Sequence, residues 1–133
     1  MDATFLARIR NDYPELRLVR GRKFAFRPPR TIVIPESDTD FDSLRFLHEL
    51  GHALIKLWTF NTEIERLKIE VLAWEKAKQL APIYGVIVDL KLIEGELDTY
   101  RDWLHQKSRC PKCGLTRFQT PDGVFHCPRC NFY

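Results

Sequence analysis

His48-Glu49-Leu50-Gly51-His52 sets two imidazoles four positions apart, with a carboxylate directly after the first. On an α-helix four residues advance about 400°, so both rings project from one face, one turn apart. Two neutral imidazoles at that spacing suit two coordination positions of one zinc ion. Glu49 is then placed to take a proton from a water polarised by that metal, which is general-base work. Glycine costs about 1 kcal/mol in a helix interior. Gly51 therefore predicts that another backbone or a ligand passes close to this helix.

A catalytic zinc normally takes three protein ligands and keeps one position for water. The remaining histidines, His105 and His126, lie far along the chain, the second inside a cysteine-rich segment. The next helix offers Glu63, Glu65, Glu70 and Glu75. Its apolar stripe comprises Leu67, Ala73, Trp74, Ala77, Leu80 and Ala81, and Glu70 sits at the stripe's centre. Glu65 and Glu75 are about 140° off that line. Glu63 shares the face but lies in the first turn, and is the rival. A core-facing carboxylate without a partner is costly. A metal would serve Glu70 as that partner, and so would an arginine such as Arg8 or Arg101.

Cys110-Pro-Lys-Cys113 and Cys127-Pro-Arg-Cys130 are two knuckles separated by thirteen residues. Four thiolates close a tetrahedral sphere, so this second zinc is expected to be structural and to organise a ribbon too small to fold unaided. Phe118–Thr120 and Val124–His126 flank Pro121-Asp122-Gly123, a hairpin signature. Lys107, Arg109, Lys112, Arg117 and Arg129, with Phe118 and Phe125, would present a basic, aromatic face of the kind that takes nucleic acid.

The elements that must position these groups follow from periodicity. A helix is expected over 3–12, ended by Tyr13-Pro14. Strands are expected at 16–19 and 24–26, joined by a hairpin turn with Gly21 at the bend, and at 31–34. These would make a small antiparallel sheet. Asp40 or Asp42 caps the motif helix, which reaches towards Trp58. Thr62 and Glu65 form a capping box for a helix ending near Leu80. A further helix from about Asp89 to His105 is interrupted by Gly95. The fold class is α+β, with one domain over 1–105 and the ribbon over 106–133.

With 133 residues, 44% of them hydrophobic and 12% aromatic, the chain supports one packed core and a small appendage, which excludes wholesale disorder. Residues 1–30 carry eight Arg and Lys against three Asp and Glu, 31–104 eight against fourteen, and 105–133 five against one. The ends are basic and the middle acidic. No segment reads as a leader or a membrane span, so a cytoplasmic chain is expected.

The HELGH motif, followed by Glu70-Val-Leu-Ala73-Trp74, resembles the gluzincin clan of zinc metallopeptidases. With a small sheet ahead of the motif helix, residues 15–81 are most similar to minigluzincins and ImmA/IrrE-type peptidases. The resemblance implies His48, His52 and Glu70 as ligands of a catalytic zinc and Glu49 as base. Trp74 departs from the ImmA-type pattern, which usually has Asn there. No residue clearly matches the Tyr or His that some gluzincins aim at the oxyanion; Tyr84 and Tyr100 are the tyrosines on offer. The ribbon after the core resembles the domain arrangement of SprT-like proteases, without their third histidine. The implied function is hydrolysis of a protein or peptide substrate, with strand 32–34 presenting an edge to it and the acidic 36–42 loop favouring basic residues. The alternative is a non-catalytic adaptor binding DNA or protein, which would need the histidines but not Glu49.

Overall fold

The computed structural model describes residues 3–130; the outermost residues of the two expected domains, 1–2 and 131–133, lie outside them. Helix α1 (Ala3–Asp12) precedes strands β1 (Arg17–Gly21), β2 (Ala25–Arg27) and β3 (Thr31–Pro35). A short 3-10 turn (Asp38–Asp40) leads into α2 (Ser43–Ile55), and α3 (Glu63–Leu80) runs into a second such turn (Ala81–Tyr84). Helix α4 (Leu90–Ser108) and strands β4 (Phe118–Gln119) and β5 (Phe125–His126) complete an α+β chain. It forms two compact units, Met1–Trp58 with Leu72–Asp89, and Thr59–Val71 with Leu90–Tyr133. Among the described residues no helix is long and apolar enough to cross a membrane.

In the first unit, the expected antiparallel sheet is corrected. The strand order is β1-β3-β2, with β1 parallel to β3 and β2 antiparallel to it. Gly21 is therefore not a hairpin bend; it pairs with Pro35 at the end of β1. Ile32–Pro35 are all buried, and a strand covered on both faces belongs in the middle of a sheet. The apolar run of β3 thus takes the central place that local turn chemistry assigns to neither strand. The same topology overturns the expectation that 32–34 offers an edge.

The core of this unit joins Phe5, Leu6 and Ile9 of α1 to Ile32–Ile34 and to Phe46, Leu47 and Leu50 of α2. Phe5 meets Phe46 and Tyr84 edge-on, at 5.5 and 5.9 Å between ring centres. Helix α2 starts where Asp42 accepts from the amides of Leu44 and Arg45 at 2.8 and 3.2 Å, so Asp42 is the cap. It ends short of the expected Trp58, with Lys56 in the left-handed region. The indole of Trp58 folds back to donate to the carbonyl of His52 at 2.8 Å.

Gly51 does what its cost foretold. A Cβ there would lie 2.5 Å from the carbonyl oxygen of Ala73. Gly95, by contrast, sits within a continuous α4 with nothing within 4 Å of an added Cβ.

In the second unit, the start of α3 is capped twice. Thr62 Oγ1 accepts from the Glu65 amide at 3.2 Å, while the Glu65 carboxylate reaches the Asn61 amide at 3.1 Å. The Glu63 amide donates to Gln119 Oε1 at 2.7 Å, so a β4 side chain satisfies a helix-end donor. Gln119 in turn donates to the carbonyl of Gly123 at 2.9 Å.

The two glycines should respond oppositely to alanine. Gly95→Ala should stabilise by roughly 0.5–1 kcal/mol through helix propensity alone. Gly51→Ala should destabilise by about 1–3 kcal/mol, because a backbone carbonyl cannot yield cheaply. Urea unfolding midpoints check both; equal shifts would contradict the close packing.

Candidate metal centres

Helix α2 places His48, Glu49 and His52 together, all half-buried, with ligand atoms within 4.8 Å of one another. The imidazole centres are 4.7 Å apart, and His48 Nδ1 lies 3.5 Å from Glu49 Oε1. Two nitrogen donors and a carboxylate are a donor set consistent with zinc.

Aromatic groups back each ring. Trp74 of α3 lies parallel to His48, 3° between planes and 4.0 Å between centres. Phe26 of β2 is parallel to His52 at 6.3 Å, and Trp58 packs against Phe26 at 5.8 Å. The sequence does not mark these as site residues; Trp74 enters it as core and as a departure from the ImmA-type pattern. The available signal was its place next to Ala73, on the helix that Gly51 must admit.

The carboxylates of α3 separate by environment. Glu65 and Glu75 are exposed, Glu70 is half-buried and Glu63 is buried. Glu63, the rival third ligand, is committed elsewhere. It accepts from Tyr100 Oη at 3.2 Å and Lys107 Nζ at 3.0 Å, with Arg66 at 3.9 Å. Glu70 lies in this same unit, and its charge acts on Tyr100. Arg8 donates to the carbonyl of Ile83, and Arg101 pairs with Asp98 and Glu94. Both candidate oxyanion tyrosines donate to carboxylates, Tyr84 to Asp12 at 2.6 Å and Tyr100 to Glu63.

Cys110, Cys113, Cys127 and Cys130 also gather their sulfurs within 4.8 Å. No disulfide links them, and Cys113 and Cys127 stand 3.6 Å apart. The first knuckle closes through Gly114, whose amide donates to the Cys110 carbonyl at 2.9 Å with φ at 79°. In the second, the Cys130 amide donates to Cys127 Sγ at 3.3 Å. Burial opposes ionisation of Cys110, but the amides of Cys113 and Lys112 prevail and lower its pKa to about 7. The Cys130 amide lowers Cys127 too. Bonding to Cys113 and burial push Cys130 up to about 12. A bound cation would favour the thiolate form at all four.

Strands β4 and β5 pair antiparallel across the expected turn. Arg117 donates to the carbonyls of Lys107 and Ser108 at 2.8 and 3.4 Å and lies over Phe125, so it closes the end of α4.

Comparison of the chain with protein families, with curated proteins and with solved structures returns no match.

Burial raises the Tyr100 phenol to about 12; the Arg66 charge opposes this, and Glu63 and Glu70 add to it. A raised pKa means folding favours the neutral phenol. Its contribution is complete below about pH 10 and disappears as pH climbs through about 12. Tyr100→Phe should therefore flatten the loss of stability across that window, read as urea midpoints against pH.

Two chemically distinct centres also predict two metal equivalents. In the cobalt-loaded chain, thiolate charge-transfer absorption should vanish in Cys113→Ser while the other equivalent stays. His52→Ala should do the reverse. One equivalent in the unaltered chain would contradict the pair.

Proposed function

We propose that this chain is a zinc-dependent peptidase of the gluzincin kind, with His48, His52 and Glu70 as zinc ligands and Glu49 as general base. The observation that carries the reading is the convergence of His48, Glu49 and His52 donor atoms within 4.8 Å on one face of α2. Bound there, zinc supplies the Lewis acidity that polarises a peptide carbonyl and lowers the pKa of water towards ~7.

The chain's own residues do the rest. Glu49 takes the proton of the attacking water and passes it to the departing amine. His48 and His52 present their imidazole nitrogens from one face of α2. Glu70 enters by its sequence position, one turn ahead of Ala73 on α3, as the remaining carboxylate of the apolar stripe.

An extended substrate needs an open strand edge. With β3 internal, β2 takes that role: among the described residues it pairs only with β3, and its Phe26 faces His52. The four cysteines hold a second, structural zinc. Nucleic acid at the basic ends is a further partner of this reading.

Peptide-library cleavage with and without a chelator tests the activity. Glu49→Gln should keep metal and fold while losing roughly 10²–10⁴-fold in turnover. Glu70→Gln should lose the metal itself. Metal binding without any cleavage by the unaltered chain would instead favour a DNA- or protein-binding adaptor on the same scaffold.

A further inference from the structure

We propose that Trp74 is a positioning residue for the metal centre: its indole fixes the His48 imidazole in the orientation that presents it as a ligand. The inference rests on the reading of His48 as a metal ligand and adds a residue to it.

Three observations connect. Gly51 lacks the Cβ that would lie 2.5 Å from the Ala73 carbonyl, so α3 approaches the motif helix at backbone contact. The residue after Ala73 is Trp74, which is buried. At that distance its ring lies flat on His48, 4.0 Å between centres and within 3° of parallel.

A ligating imidazole is usually oriented by a hydrogen bond from its second nitrogen to a carboxylate or carbonyl. Hydrogen bonding restrains one atom, whereas a parallel stack restrains the plane. An imidazole pressed against a buried indole can turn within its own plane, but it cannot tilt without parting from that face. The rotamer freedom lost on binding metal is thus already surrendered in the folded chain. The stack also covers one face of the ring.

The test compares Trp74→Phe, which keeps a flat ring, with Trp74→Leu, which fills space without one. Both are made in the full chain with its cysteine centre loaded, and cobalt or zinc affinity is measured by competition with a chromophoric chelator. Trp74→Leu should weaken the histidine equivalent by roughly 10–100-fold and alter its visible cobalt spectrum. The thiolate equivalent should be unchanged, and Trp74→Phe should recover most of the loss. A folded Trp74→Leu chain that binds as tightly as the unaltered one would overturn the inference.

An independent arm needs no change at Trp74. With Trp58 and Trp103 both replaced by Phe, Trp74 is the sole tryptophan, and its emission should fall when the histidine-bound cobalt equivalent is added to a chain whose cysteine centre is already loaded. Undiminished emission when that equivalent binds overturns the inference and leaves the peptidase reading standing. Failure of the unaltered chain to take up that equivalent overturns both.

Discussion

One absent methyl group governs the first unit. A helix-interior glycine is a standing cost of about 1 kcal/mol, and at Gly51 it is offset by contact with the Ala73 carbonyl. That contact lets Ala73, Trp74 and Ala77 close over the motif helix with little or no exposure. It also lays Trp74 along His48. The remaining supports of the histidine pair are secondary to it: the Asp42 cap sets where α2 begins, and Trp58 ties down the His52 carbonyl near its end.

Helix α3 has no single buried face along its length, and this explains the behaviour of its acids. Its first half belongs to the second unit and its second half to the first. The stripe of Ala73, Trp74, Ala77 and Leu80 is buried as expected. Extrapolating that stripe back to Glu63 fails, because the first turn answers to different neighbours. Glu63 is buried against Tyr100, Lys107 and Arg66, and Arg66 in turn lies over Phe60, Tyr100 and Trp103. A buried carboxylate is tolerable only when cations and hydroxyls meet it, and here they do so without a metal.

Much of this was legible from local rules. Asp42 and Thr62 cap their helices because a short polar side chain before an apolar repeat can satisfy the first amides. The HExxH spacing and the paired CxxC knuckles needed no tertiary information, since each is set by its own helix or turn. The sheet order was not legible. A glycine between two short alternating segments reads as a hairpin, and only the need to bury β3 on both faces overrides it. Trp74 was invisible as a site residue for a similar reason: a buried indole has the same sequence signature whether it faces leucine or imidazole.

The two candidate metal centres offer contrasting donor chemistry. At the cysteines, selection is electrostatic: backbone amides aimed at sulfur bring Cys110 and Cys127 towards the thiolate while Cys130 is held back. A divalent cation bound there would complete that charge balance. The histidine site offers two imidazole nitrogens, whose ring orientation decides whether they converge. Its surroundings are accordingly flat and apolar, Trp74 on one ring and Phe26 on the other. Gln119 then links the cysteine ribbon to the first amide of α3. The hairpin beside the cysteines thus satisfies a donor at the start of the helix that carries Glu70.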